Sequence, residues 1–184
     1  MTKARDLASG GFGLVLVKPS SVVNGTDNGK GTVSFSGASS VSLNGVFSAT
    51  YTNYKMLLYI DPSAIADIFW RGRTNGSDNS NSTYYGQRLG ADSTTVGGTK
   101  YSLQSSARLL ATSTIALNAG AVDIFTPFIS EQTLVRTVSV SSNNDIILED
   151  YATMFDNTTS FDGITFFPGS GTITGQVSIY GYNN

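Results

Sequence analysis

Short runs of alternating apolar and small polar residues fill residues 14–182, and each run ends at Gly, Asn, Asp or Ser. Roughly eleven such runs follow one another, and almost no segment shows the spacing of an amphipathic helix. Because side chains alternate between the two faces of a strand, this period predicts β-structure throughout. We expect an all-β protein, built as an antiparallel β-sandwich of jelly-roll-like type with a short N-terminal extension.

The length of 184 residues suits one domain, which at this size buries about two-thirds of its unfolded surface. Residues 14–184 are predicted to form this single β-sandwich domain. Residues 1–13 precede it as a leader, with charged and helix-favouring residues followed by a glycine-rich end. The leader is expected either to dock onto a neighbouring protein or to be loosely ordered. The apolar stretch from Phe12 to Val17 is too short and too interrupted by glycine for a secretory signal.

Two strands can be oriented from their own sequence. Residues 54–60 are largely apolar on both faces, which is typical of a central strand. In residues 64–73, Trp70 shares a face with Ile68, and both are expected to point into the core. A core tryptophan is the simpler interpretation of Trp70, and a ring on which a ligand stacks is the alternative.

A third strand, residues 134–141, has one largely apolar row and one row of mostly small polar residues. Leu134, Val138 and Val140 are predicted to face inward, with the small polar residues toward water. Arg136 falls on the same inward row, where a charge must pair with an acid or extend its head to solvent. The sequence does not select the acid.

Composition limits the chemistry that this chain can perform. It contains no His and no Cys, and its two glutamates are Glu131 and Glu149. A Ser-His-Asp triad, a Cys-His pair, a histidine-based zinc site and a CxxC site are therefore excluded. Glycosidases need two carboxylates about 5 to 10 Å apart, but the adjacent Glu149 and Asp150 point to opposite faces of a strand. We predict a protein that is not an enzyme and holds no cofactor.

Charge and hydropathy limit the partners. Charged residues make up 13 % of the chain, the formal net charge is −2 and the isoelectric point is near 4.9. Nucleic-acid binding depends on a basic surface that neutralises phosphates, so no nucleic-acid partner is expected. A membrane-spanning helix needs about 20 apolar residues in succession. No run approaches that length, so no membrane insertion is expected.

Two segments rich in Asn and Asp resemble loose calcium loops. One contains Asn24, Asp27 and Asn28 around Gly25 and Gly29, and the other contains Asp78, Asn79 and Asn81. Calcium prefers the carboxylate and amide oxygens that these residues offer. The same residues are typical of Asx turns, which is the preferred interpretation, so no metal site is predicted.

Four stretches spread over most of the chain have a distinctive order of residues. They are TKARDLA at residues 2–8, VSLNGVFSATYTNY at 41–54, RGRTNG with YYGQR between 71 and 88, and GQVSIYGY at 175–182. Together they resemble tail-fibre-like and other virion structural proteins of tailed bacteriophages, including cyanophages. Each stretch is a strand-and-turn segment rather than a catalytic signature.

The resemblance implies a β-rich module, often trimeric, that is made in the host cytoplasm and carried in the virion on the tail or the outer capsid surface. It points to a non-enzymatic structural protein, a short tail fibre or host-facing adhesion subunit. The implied partners are other virion proteins and a glycan or protein receptor on the host surface. A head-decoration protein that stabilises the capsid is the alternative, and a carbohydrate-binding or carbohydrate-degrading module is the third. Outward apolar residues such as Leu57, Tyr59 and Phe69 agree with a homotrimer.

Two sets of residues are candidates for contacts with partners. Tyrosine rings beside polar loops suit sugar faces and protein interfaces alike, and core packing remains an alternative for each of them. The leader is expected to attach the domain to the virion. The candidate surface and partner contacts are Arg71, Arg73, Tyr84, Tyr85, Tyr180 and Tyr182, and the candidate docking residues are Lys3, Arg5, Asp6 and Leu7.

Overall fold

A computed structural model describes residues 13–112, 117–142 and 146–183. These residues form two antiparallel β-sheets packed as a sandwich, which confirms the predicted fold class. Within them, no helix has the length and apolar character to cross a membrane. The predicted leader lies outside the described residues except for Gly13, where the first strand begins. The candidate docking residues Lys3, Arg5, Asp6 and Leu7 therefore also lie outside the described residues.

The described residues form sixteen strands, most of them joined by short turns. Their bounds are β1 (Gly13–Val17), β2 (Ser21–Val23), β3 (Thr26–Asp27), β4 (Thr32–Ala38), β5 (Val41–Asn44), β6 (Asn53–Pro62), β7 (Asp67–Thr74), β8 (Ser77–Asp78), β9 (Tyr84–Asp92), β10 (Thr95–Gln104), β11 (Ala107–Ala111), β12 (Asn118–Phe125), β13 (Thr133–Ser142), β14 (Ile146–Phe155), β15 (Gly163–Pro168) and β16 (Ile173–Asn183).

The two sheets differ in width. In the larger sheet neighbouring strands follow the order β10-β9-β14-β13-β12-β6-β16-β4-β3, and β1 pairs with the end of β16. The smaller sheet has the order β11-β7-β15-β5-β2, and β8 folds back on β7. Strand β6 pairs with β12 on one side and β16 on the other. The prediction of a central strand for residues 54–60 is therefore confirmed.

Aromatic rings fill the core between the sheets. Trp70, Tyr84, Phe155 and Phe161 form a chain of edge-to-face contacts with ring centroids 4.9 to 5.3 Å apart. Trp70 is 1 % exposed, and its Nε1 donates a hydrogen bond to Thr153 Oγ1 across 3.1 Å. A ring enclosed in this way has no free face for a ligand to stack on. Trp70 is therefore the core residue that the sequence predicted.

The predicted orientation of residues 134–141 is wrong. In β13 the small polar row, which includes Thr137 and Ser139, is buried against the second sheet. The largely apolar row faces solvent, so the usual order of apolar residues inside and polar residues outside is reversed. The exposed residues are Leu134, Arg136, Val138 and Val140.

The neighbouring strands explain this reversal. Residues that lie opposite one another on paired strands share a face of the sheet. Thr137 lies opposite Val122 of β12 and Tyr151 of β14, and both of these side chains are buried. The apolar inner rows of β12 and β14 therefore set the orientation of β13 against its own polarity.

Candidate interaction surface

The reversal of β13 leaves the outward side of the larger sheet rich in apolar side chains. We call this surface the outer apolar face. Its side chains come from five neighbouring strands, β6, β12, β13, β14 and β9, and they lie in register across the sheet. The outer apolar face consists of Leu57, Tyr59, Leu89, Ala119, Ala121, Phe125, Leu134, Val138, Val140 and Leu148.

Two apolar rows cross the centre of this face. Leu57 and Val138 are each 41 % exposed, Val140 is 45 % exposed and Leu148 is 49 % exposed, so the rows are open to solvent in a single copy of the chain. A contiguous exposed apolar patch of this kind usually marks a surface that another molecule covers. The first row is Tyr59, Ala119, Val140 and Leu148, and the second is Leu57, Ala121 and Val138.

Ion pairs lie beside the second apolar row. Lys55 Nζ donates to Asp123 Oδ1 across 2.8 Å, and the Tyr182 hydroxyl donates to the same oxygen across 2.7 Å. Arg136 donates from Nε and Nη2 to the two oxygens of Asp150 across 3.1 and 2.6 Å. Arg136 thus pairs with Asp150, one of the two outcomes expected for it, but it does so on the solvent-facing row and not on the inward row where the sequence placed it. Each cation is balanced by an acid within the same face, so these four charged groups add no net charge to it.

The pairing of Asp123 predicts a response to acid. Burial alone raises the pKa of Asp123, but hydrogen bonds from Lys55 and Tyr182 outweigh burial and hold the pKa below its ordinary value of 3.8. A carboxyl group with a lowered folded-state pKa stabilises the fold above its unfolded pKa, and this stabilisation is lost as the pH falls through the folded value. The difference in free energy of unfolding between wild type and Asp123→Asn is therefore expected to shrink from about pH 5 to about pH 2 in denaturant titrations. Parallel pH profiles for the two proteins would contradict the pairing.

Two shallow hollows lie on the same side of the larger sheet. The first has a volume of about 580 Å³ and lies over the two apolar rows. The second has a volume of about 480 Å³ and extends from β12 to β10. Its lining includes the rings of Tyr85 and Phe125 and the polar side chains of Gln87 and Lys100. A largely apolar hollow with a few polar groups is the usual composition of a binding surface.

The structure brings three of the predicted contact residues to this side of the larger sheet. Tyr85 lines the second hollow, Tyr180 lines the first, and Tyr182 binds Asp123. Arg71 is separate from them, because it lies on β7 of the smaller sheet. There its guanidinium stacks 4.8 Å from the centre of the Phe167 ring.

Arg73 and Tyr84 lie inside the protein, which corrects the prediction that they are surface contacts. Arg73 is 7 % exposed and Tyr84 is 0 % exposed. Arg73 pairs with Asp78 and donates to Thr165 Oγ1 across 2.7 Å. The Tyr84 hydroxyl donates to the Asn79 carbonyl across 2.8 Å, and burial raises the pKa of this hydroxyl. Both polar heads find partners within the fold, so the residues can be buried without an unpaired polar group.

Sequence reasoning missed a polar cavity of about 260 Å³ between the sheets. Glu149 is 4 % exposed there; its Oε1 accepts from Arg88 Nε across 2.6 Å, and its Oε2 accepts from the Tyr151 hydroxyl across 2.8 Å. Arg108 and Asp67 form a second ion pair at the cavity. Burial raises the pKa of Asp67 and of the Tyr151 hydroxyl. Glu149 and Asp67 are each paired with a guanidinium, an arrangement that joins the strands as an internal ion network.

The structure also places the remaining candidate carboxylates. Glu149 faces the interior and Asp150 faces outward, as their adjacent positions predict. In the first Asx-rich segment, Asp27 Oδ1 accepts from the backbone N–H groups of Gly29 and Gly31 across 3.0 and 3.2 Å, which is the form of an Asx turn. Across the part of the chain that the structure describes, no three His, Cys, Asp or Glu residues are grouped to hold a metal ion.

Comparisons with known proteins give no family assignment. No family model matches the chain, and no curated protein matches it.

Similarity to solved structures is weak. The SPRY domain of human HERC1 has 9 % identity and a TM-score of 0.38, and the alignment covers 94 % of this chain and 99 % of that chain. The apo structure of BiXyn10A CBM1 has 10 % identity and a TM-score of 0.26, with 91 % and 89 % covered. The catalytic domain of an endo-1,3-beta-glucanase (laminarinase) from Thermotoga petrophila has 8 % identity and a TM-score of 0.24, with 79 % and 69 % covered. At these scores the three structures assign neither a ligand nor an activity to this chain.

Proposed function

We propose that the protein is a non-enzymatic structural subunit of a tailed-phage virion, a short tail fibre or host-facing adhesion subunit. The observation that carries the proposal is the outer apolar face, which is open to solvent in a single chain. A surface of this kind stabilises contacts with another protein, because covering it removes apolar area from water. Such a role requires binding and a stable scaffold, and no catalytic step.

The sequence resemblance supplies the virion part of the proposal. The stretches at residues 41–54 and 175–182 contribute to β5, β6 and β16, and β6 pairs with β16 within the larger sheet. The resemblance therefore includes strands that build the sheet carrying the outer apolar face. It also supports assembly as a homotrimer on the tail or the outer capsid surface.

The second hollow supports the host-facing part of the proposal. Tyr85 and Phe125 present aromatic rings there, and Gln87 and Lys100 add hydrogen-bond donors beside them. Rings with neighbouring polar groups suit the faces of sugars and the surfaces of proteins. A glycan or protein receptor on the host surface is the partner that we assign to the end of this hollow formed by Tyr85, Gln87 and Lys100, which are not part of the outer apolar face.

Locating the chain in the virion tests the proposed function. An averaged cryo-electron-microscopy map of the particle is expected to show the β-sandwich on the tail, and the chain is expected to co-purify with detached tails. Recovery of the chain with emptied heads would replace the tail-fibre role with the head-decoration role. Absence of the chain from purified particles, measured by mass spectrometry, would overturn the proposed function.

A further inference from the structure

We propose that copies of this chain meet through the outer apolar face, so that a second copy covers it. The inference rests on the proposed role as an assembling subunit, and it names the surface through which assembly takes place. At its centre are Leu57, Val138 and Val140, which point away from the core while their strands are paired on both sides. These strands therefore cannot pair with a strand of another molecule, and a partner can contact them only through their outward side chains.

The area of the face is close to what a specific contact needs. Strands lie about 4.8 Å apart and residues on one face of a strand lie about 6.8 Å apart. Five strands, each with four outward residues, therefore cover roughly 650 Å² in projection, an area that includes the two ion pairs as well as the outer apolar face. A specific interface buries about 800 Å² on each partner, and side-chain relief makes the accessible area larger than the projection. The outward side of these five strands, with the outer apolar face and its ion pairs, is thus large enough to hold a second copy of the chain.

The charges of the face favour a second copy over a charged partner. The pairs Lys55–Asp123 and Arg136–Asp150 are each closed within one chain. A partner that relies on net charge gains little attraction from such a surface. Two copies of the face can approach without placing an excess of one charge against the same charge, and the contact removes apolar area of both chains from water.

The opposite side of the sandwich is a weaker candidate for this contact. There Phe69 stacks on Phe167 with ring centroids 5.8 Å apart, and Arg71 lies over the Phe167 ring. These side chains cover one another within the chain. The larger sheet therefore offers the more open apolar surface, and in a trimer its outer face would turn toward the three-fold axis and contact two neighbours.

The mass of the purified protein in solution tests this inference. The wild type is expected to have at least twice the mass of the 19.4 kDa chain. Val140→Lys places a charge in the first apolar row and is expected to raise the dissociation constant at least about tenfold, because residues at the centre of an interface dominate affinity. Ile65→Lys is the matched control, since Ile65 is 62 % exposed in the connection between β6 and β7 and lies outside the face. This control is expected to keep the wild-type mass.

A thiol-protection measurement gives a second readout without a charged substitution. The natural chain has no cysteine, so a single introduced thiol can be followed alone. Maleimide labelling of Val140→Cys is expected to slow at least about tenfold between dilute and concentrated protein, as the face becomes covered. Labelling of Ile65→Cys is expected to proceed at the same rate at both concentrations.

Several outcomes would overturn the inference. A wild type that has the mass of one chain at high concentration would do so, and so would an oligomer that Val140→Lys leaves intact. A single chain in which Val140→Cys is protected at every dilution would show that another part of the same chain covers the face. The position of the protein in the virion is measured separately, so the contact between copies and the proposed function can fail independently.

Discussion

Replacing Glu149 with alanine is expected to lower the free energy of unfolding by about 3 kcal/mol, because the change leaves a guanidinium without its carboxylate inside the sandwich. The same replacement at the neighbouring Asp150 is expected to have a much smaller effect. Asp150 pairs with Arg136 on the outward side of the strand, where water solvates both groups. The two residues are adjacent in β14, but their side chains lie on opposite faces of the larger sheet.

The contacts of Glu149 explain the size of the expected loss. Its carboxylate accepts hydrogen bonds from Arg88 and Tyr151, and its Oε2 also accepts from the backbone N–H of Ala111 in β11 across 3.3 Å. It therefore joins both sheets as well as two strands of the larger one. The side chain of Arg88 is 28 % exposed, so it can regain some hydration after the change. The expected cost accordingly lies at the lower end of the range for a broken buried pair.

Denaturant titrations of four proteins measure this prediction: the wild type, Glu149→Ala, Asp150→Ala and the double variant Glu149→Leu with Arg88→Met. Replacing both partners removes the uncompensated charge, so the double variant is expected to recover part of the stability that Glu149→Ala loses. The Tyr151 hydroxyl and the Ala111 N–H still lose their acceptor in this variant, which limits the recovery. Equal losses for Glu149→Ala and Asp150→Ala would show that the network between the sheets has no special importance for the fold.

The predicted and observed orientations show what alternation along one strand can establish. It gives the period of two, and it correctly places Glu149 and Asp150 on opposite faces and Trp70 in the core. It does not give the face that a row occupies when both rows are compatible with burial. In β13 the sequence predicted Val138 inside and Thr137 outside, and the structure has the opposite arrangement. The orientation of β13 depends on its pairing with two other strands.

Only part of the outer apolar face could be predicted from the sequence, because alternation along one strand does not show how strands pair. Residues 54–60 are apolar on both faces, and that signal already placed Leu57 and Tyr59 outward. The rest of the outer apolar face depends on register across five strands that are distant in sequence. The sequence also did not reveal the burial of Arg73 and Tyr84. Their partners are Asp78 in β8 and Asn79 directly after it, and this polar segment has a composition typical of an exposed loop.

Replacing Trp70 with alanine is expected to lower the free energy of unfolding by about 3 to 5 kcal/mol, the usual cost of removing a large aromatic side chain from a core. The change leaves a cavity beside Tyr84 and removes the donor to Thr153 Oγ1. Phe69→Ala is the matched control, because Phe69 precedes Trp70 in β7 but points outward and stacks on Phe167. Its loss is expected to be at most about 2 kcal/mol, since solvent already reaches the ring.

Circular dichroism in guanidinium chloride measures the stability of both variants. Fluorescence cannot do so, because Trp70 is the single tryptophan and is absent from Trp70→Ala. The wild-type indole is expected to emit at short wavelength when folded and to shift to longer wavelength on unfolding, as its environment changes from apolar to aqueous. If Trp70 were a platform for a ligand, Trp70→Ala would retain the wild-type midpoint and lose only binding. A midpoint that falls further for Phe69→Ala than for Trp70→Ala would contradict the assignment of Trp70 to the core between the sheets.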